Sequence, residues 1–280
     1  MKMLLSADLV AEQKAHILGQ VDRMRGRREI PKLVSVVCSD DLSVMSYVKS
    51  KQKTANALGI PFEIKDFCSV LDLEELLTKL HEIYHADEIG GVIVELPLKK
   101  GIDELAVLNS IPFQKDVDGM GAVNLGALCQ GLTGRQYSIP ATPQACMMLA
   151  RSVTEIAGKN VALIGRGRTV GKPLANLLIS EGATVTVCHS RTANIRDIAR
   201  SADIVFTATG IPKKWDASYF KDGSIIVDAG IGFVDAKISG DTDVEALEGL
   251  DGWVTPVPGG VGPLTAILLF QNFLKLVDFE

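Results

Sequence analysis

The stretch from Asn160 to Leu178, NVALIGRGRTVGKPLANLL, constrains this chain more than any other. Val161 to Ile164 is a short apolar run of the kind a buried parallel strand needs. A glycine-rich turn follows from Gly165 to Gly171. Lys172 and Pro173 then lead into an amphipathic helix carrying Leu174, Leu177 and Leu178. Proline suits a first helical turn, where its missing N–H would have no partner anyway. Strand, glycine turn and helix in this order aim backbone N–H groups at a phosphate. The stretch reads as the pyrophosphate site of a dinucleotide, with Gly165, Arg166, Gly167, Thr169, Val170 and Gly171 facing the cofactor.

The spacing is G-x-G-x-x-x-G, one residue longer than the common G-x-G-x-x-G. Glycines alone would fit a tight turn in any α/β protein, so the context matters. Ala183 to His189 reads as a second strand, and it ends without the acidic residue that binds a ribose 2′-hydroxyl. Ser190 and Arg191 stand there instead, and Arg166 lies in the first turn. A hydroxyl and guanidinium groups suit a 2′-phosphate, which points to NADP over NAD. Either arginine read alone is equally an ordinary solvated surface residue.

A length of 280 residues accommodates two domains or one large one. Hydrophobic residues at 47% and charged residues at 22% are ordinary for a soluble globular chain. With a net charge of -5 and no basic stripe, nothing suggests nucleic acid. The apolar runs are too short to span a bilayer, and Asp8 interrupts the only signal-like patch, so the expectation is a cytoplasmic protein. The five cysteines show no C-x-x-C pair and the four histidines no metal pattern. Reduced thiols and no metal site are expected.

The first part reads as βαβαβ. Strands are expected over Lys32–Cys38, Phe62–Phe67 and Gly91–Leu96, with helices to Leu58 and over Asp72–Tyr84. This implies a parallel sheet with right-handed crossovers. Pro97 to Gly134 reads as irregular, apart from a short helix near Asp103–Asn109. Thr142 and Pro143 read as the start of a long helix to Ile156 that leads into the dinucleotide-binding part. Strands over Asp203–Ala208 and Ser224–Ala229 end in Thr209-Gly210 and Gly230-Ile231-Gly232. Ligands in open α/β sheets sit at the carboxyl ends of strands, so Thr209 and Ile231 are further cofactor candidates. The expected domains are 1–141 and 142–280, with the closing helix 264–276 packing back on the first.

Tyr47 and Lys51 are spaced i, i+4 and share a helix face. On its own that pair fits a solvated helix whose tyrosine packs its ring. Asp116 and Asp118 flank Val117 in the cluster Lys115 to Gly119. A carboxylate there can accept two parallel N–H bonds from an amino-pyrimidine edge, or simply hold a turn. Thr255 to Pro263, TPVPGGVGP, is glycine- and proline-dense enough to lie flat against a ligand.

These segments together resemble the bifunctional methylenetetrahydrofolate dehydrogenase/cyclohydrolase (FolD) family. The resemblance runs through YVKSK at 47–51, LPL at 96–98, KDVDG at 115–119, Thr142-Pro143, Gly165–Pro173, TVTVCHSRT at 184–192, and TPVPGGVGP with Thr265. It implies an N-terminal, three-layer parallel-sheet catalytic domain that binds folate, a Rossmann-like NADP domain, and a cleft between them. In such enzymes the tyrosine at the place of Tyr47 stacks on the folate. The lysine at Lys51 is the principal catalytic group, the aspartate at Asp118 anchors the pterin, and Pro258, Gly259 and Gly260 line the substrate side. The resemblance further implies oxidation of a methylene folate, hydrolysis of the methenyl product, and a homodimer.

Several positions depart from the family pattern. Glu95 stands where glutamine is usual and normally contacts the catalytic lysine; it is the fourth candidate at the catalytic centre. Lys99 replaces a proline, Cys38-Ser39 a Val-Gly pair, Gly167 a serine and Ala141 a cysteine. A carboxylate beside Lys51 favours its charged form. The alternatives are thus a dehydrogenase with weak cyclohydrolase, or a non-catalytic NADP- or folate-binding protein.

Overall fold

A computed structural model describes residues 1–70, 72–134 and 136–278, and at positions 42 and 43 the backbone alone. In chain order the elements begin with β1 (Lys2–Met3), α1 (Ala7–Arg25), β2 (Lys32–Val37), α2 (Leu42–Leu58), β3 (Phe62–Asp66), α3 (Leu73–Tyr84) and β4 (Ile89–Val94). They continue with α4 (Glu104–Ser110), α5 (Ala122–Cys129), α6 (Ala141–Arg151), β5 (Asn160–Ile164), α7 (Gly171–Ser180), β6 (Thr184–Cys188), α8 (Ile195–Ser201) and β7 (Ile204–Thr207). The chain closes with β8 (Ser224–Asp228), β9 (Gly232–Val234), β10 (Lys237–Ser239), β11 (Gly252–Val254) and α9 (Val261–Val277).

The chain forms two compact units, one of Met1–Val10 with Pro140–Thr265, the other of Ala11–Ile139 with Ala266–Glu280. The first ten residues therefore join the later unit, and not the N-terminal segment expected to hold them. The reason is backbone pairing: β1 adds to β11 in parallel, with Lys2 opposite Trp253 and Met3 opposite Val254. Leu4 N–H donates to the Val254 carbonyl at 2.8 Å. A two-residue strand has too few positions to show an alternation in sequence.

The unit built on Ala11–Ile139 carries a three-stranded parallel sheet in the order β3-β2-β4. The central strand β2 is apolar apart from its lysine and Ser35, and five of its residues are buried. Helix α3 turns Leu76, Leu80, Ile83 and Tyr84 into the core, each such side chain contributing roughly 1.5–3 kcal/mol. Asp72 caps it by accepting from Glu75 N–H at 2.9 Å. The segment after α4 is more ordered than expected, because Ala122–Cys129 forms α5. Its start follows Gly121 and carries no side-chain cap, so the usual signal of a helix onset is missing.

The other unit holds a six-stranded parallel sheet in the order β1-β11-β8-β7-β5-β6. Its apolar core includes Ile164, Val205, Phe220, Ile226 and Val254. Strands β9 and β10 form a separate antiparallel hairpin. Helix α6 begins at Ala141 after Pro140, with no side-chain cap. It ends at Arg151, short of the expected Ile156, as Ser152, Val153 and Thr154 fold back onto Met148, Leu149 and Ala150 carbonyls. Among the described residues no helix is long and apolar enough to cross a membrane, and no cluster of metal-ligating side chains occurs.

Candidate functional site

In the six-stranded unit, β5 leads to β6 on one side, and β7 then returns to the other side of β5. This reversal of strand order opens a crevice at the carboxyl ends of the strands, where α/β sheets take their ligands. Gly165 begins the turn there with φ 128°. A Cβ at Gly165 would collide with the Ala208 carbonyl, and one at Gly171 with the Gly165 carbonyl. The first glycine thus lets β5 meet the end of β7, and the last lets α7 approach the turn.

A cavity of about 840 Å³ lies in this crevice. Gly165, Arg166, Gly167, Ser190 and Thr209 border it, whereas Thr169, Val170, Gly171, Arg191 and Ile231 do not. Ser190 and Arg191 form the tip of a turn closed by Thr192 N–H onto the His189 carbonyl at 2.8 Å. Reading from sequence missed Arg196, Lys214, Trp215 and Tyr219, which are also among the lining residues. Arg196 lies over the Tyr219 ring at 5.2 Å and Lys214 over Trp215 at 5.3 Å. The adjacent Lys-Lys-Trp at 213–215 was the one available signal. Arg166, Arg196 and Lys214 against the lone acid Asp197 make a lining that suits a phosphate-bearing nucleotide. The glycine cradle admits its pyrophosphate, so these residues fit NADP.

Two buried carboxylates hold this rim. Asp241 Oδ2 accepts from Thr209 N–H at 2.5 Å, the Thr209 hydroxyl at 2.7 Å and Gly210 N–H at 3.1 Å. Asp228 accepts from Gly230 N–H at 2.9 Å and Thr242 N–H at 2.7 Å. Burial pushes the Asp228 carboxyl up to about 6, against the pull of those N–H groups. Pro258, Gly259 and Gly260 also belong to this unit. Gly259 has φ 107°, and its carbonyl accepts from the Ser6 hydroxyl at 3.0 Å. Gly260 packs with no room for a Cβ between Thr255 and the Pro256 carbonyl.

In the three-stranded unit, Lys51 comes from α2 and Glu95 from the end of β4. Lys51 Nζ donates to Glu95 Oε1 at 2.8 Å and to Oε2 at 2.7 Å. The two side chains are 19% and 8% exposed, so the ion pair is largely desolvated. The Ser35 hydroxyl on β2 donates to the same Oε1 at 2.7 Å. Tyr47, one turn before Lys51, is 57% exposed and presents its ring to solvent.

The KDVDG cluster divides by role. Its backbone runs beside β4, with Val92 N–H donating to the Lys115 carbonyl at 2.7 Å. Lys115 Nζ is spent on the Tyr84 and Ala86 carbonyls at 2.8 and 3.3 Å, tying down the end of α3. Asp116 is buried and accepts from Gly121 N–H at 2.8 Å and Asn124 Nδ2 at 2.9 Å. Asp118 is half-buried, and no hydrogen bond to it occurs among the described residues. Burial raises its carboxyl to about 7; the Lys51 ammonium opposes that rise, and Glu95 and Asp116 add to it. Lys51, Glu95 and Asp118 therefore form one electrostatic group with Tyr47 beside it.

A glycine-cradled crevice in a parallel sheet, and a lysine–carboxylate group in a second parallel-sheet unit, define a two-domain dinucleotide-binding protein of the α/β class. Residues 4–118 match the tetrahydrofolate dehydrogenase/cyclohydrolase catalytic domain, and residues 140–280 match the NAD(P)-binding domain of the same name. The chain belongs to this family. It is 37% identical over 276 residues to the bifunctional protein FolD of Bacillus cytotoxicus, covering 98% of this chain and 96% of that protein. With the Thermotoga maritima protein of the same name the identity is 42% over 250 residues, 89% of each chain. The crystal structure of the bifunctional FolD enzyme of Campylobacter jejuni superposes with a TM-score of 0.95, at 33% identity, covering 100% and 99% of the two chains. The Trypanosoma brucei FolD structure complexed with NADP and an inhibitor gives 0.88, at 32% identity, covering 99% and 97%.

Proposed function

We propose that this chain oxidises 5,10-methylenetetrahydrofolate to the 5,10-methenyl form with NADP, then hydrolyses that product to 10-formyltetrahydrofolate. The observation that carries this is the Lys51–Glu95–Asp118 group beside the exposed Tyr47 ring, in a chain matched to the family through both domains. NADP supplies the hydride acceptor when bound. Arg166 and Ser190 hold its 2′-phosphate, and the turn from Gly165 to Gly171 receives its pyrophosphate.

The Tyr47 ring stacks on the pterin, and the Asp118 carboxylate accepts from its amino-pyrimidine N–H groups. Oxidation asks mainly for positioning of the two rings. In hydrolysis, water adds to the methenyl carbon and loses a proton; the bond from that carbon to N5 then breaks, N5 gaining a proton as the new hydroxyl gives up its own to become the formyl carbonyl. Lys51 Nζ is the group placed to move these protons. We further place the chain in the cytoplasm as a homodimer, on the family resemblance.

The bidentate Lys51–Glu95 pair favours a second reading, in which hydrolysis is the slower activity. With both Glu95 oxygens bound to it, Lys51 Nζ is less free to turn toward an attacking water. The test is spectrophotometric: mix the protein with NADP and methylenetetrahydrofolate, follow reduced cofactor, and separately follow loss of methenyl absorbance. No reduction of NADP would refute the folate assignment.

A further inference from the structure

We infer that Ser35 is a positioning residue for Lys51, acting through Glu95 and tuning hydrolysis relative to oxidation. The inference rests on the folate reading above and deepens it.

Ser35 is an anomaly within its strand. Lys32–Val37 is otherwise apolar beyond its first residue, and Ser35 has no exposed surface. A buried hydroxyl without a partner costs free energy, so a hydroxyl placed there should have a specific use. Its partner is Glu95 Oε1 at 2.7 Å. Glu95 is itself 7% exposed, with its backbone N–H fixed to the Val36 carbonyl at 2.9 Å. The carboxylate is thus held between one neutral donor from β2 and one cationic donor from α2.

This arrangement has a consequence for Lys51. Oε1 serves both the Ser35 hydroxyl and the Lys51 ammonium. Hydrogen bonds to an ionised acceptor are roughly twice as strong as neutral ones. Part of the Glu95 charge is therefore satisfied by Ser35. Without the hydroxyl, Lys51 Nζ is the one side-chain donor to this buried carboxylate among the described residues, and the ion pair closes more tightly around it. Proton movement at Nζ in hydrolysis suffers, while ring positioning for oxidation suffers less. If residue 95 is a neutral amide, there is little charge to share, and Ser35 loses its influence.

A double-mutant cycle tests this directly. Wild type, Ser35→Ala, Glu95→Gln and the double variant are assayed for the two kcat values and for folate KM. Ser35→Ala should lower the ratio of hydrolysis to oxidation about fivefold, through kcat and not KM. In the Glu95→Gln background the same change should alter the ratio less than about twofold. An equal effect in both backgrounds, or a ratio unchanged by Ser35→Ala, overturns the proposal. Should Ser35→Ala alone fail to fold while the double variant folds, Ser35 is serving the Glu95 charge, as proposed. If both fail to fold, the serine is serving packing and the proposal falls. A wild type that oxidises no methylenetetrahydrofolate overturns the functional reading and takes this inference with it. Oxidation without coupling between the two positions overturns the inference alone.

Discussion

Lys51 and Glu95 face each other with both carboxylate oxygens engaged, at 2.8 and 2.7 Å, from α2 and from the end of β4. The pair is largely buried. Removing one member of such a pair leaves an uncompensated charge, whereas neutralising both can cost little.

Lys51→Met should therefore abolish hydrolysis and also destabilise the fold, by up to roughly 3–5 kcal/mol in denaturant unfolding. Adding Glu95→Gln to that variant should restore much of the stability and none of the hydrolysis. A double variant as unstable as Lys51→Met would show that the buried charge is not the cause.

Asp118 titrates near neutrality in the folded chain, about 7 against an ordinary 3.8. Between those values the folded state keeps a proton that the unfolded state has released. Stability from this group is complete below about 4 and lost as pH rises through 7. Asp118→Asn should thus raise Tm at pH 8 by about 2–5 °C and change it little at pH 4.

Substrate binding by Asp118 runs the other way with pH. An ionised carboxylate is needed to accept from the amino-pyrimidine edge, so folate KM should climb as pH falls below about 7. In Asp118→Ala the KM should be high throughout and independent of pH over that range. A normal KM in Asp118→Ala would remove the residue from the substrate site.

NADP should be preferred over NAD by tenfold or more in kcat/KM. A charge-assisted contact from Arg166 contributes roughly 1.5–3 kcal/mol. Arg166→Ala should narrow the preference through KM for NADP, and equal kcat/KM values in the wild type would refute the 2′-phosphate assignment.

Asp241→Ala removes the acceptor of three hydrogen bonds that shape the Thr209–Gly210 turn at the cavity rim. KM for NADP should rise about tenfold, with folate KM changed much less. Parallel increases in both would point to general loss of structure.

Asn160–Leu178 could be read as strand, glycine turn and helix because each element is specified by local periodicity and by residues with restricted backbones. The helical period alone put Tyr47 and Lys51 on one face. The βαβαβ order of the first part was legible for the same reason. What only the tertiary structure decided involves chain segments that meet across long sequence separations. Met1–Val10 belongs with Pro140–Thr265 because β1 pairs with β11, and a two-residue strand carries no pattern of its own. KDVDG looked like one cluster, yet Lys115 is consumed by the Tyr84 and Ala86 carbonyls and Asp116 by Gly121 and Asn124, while Asp118 has no hydrogen-bond partner among the described residues. Ser35 and Glu95 are 60 positions apart, and their contact arises only because β2 and β4 lie side by side. Local sequence sets which elements form, but the partner of a buried polar group is set by which elements become neighbours.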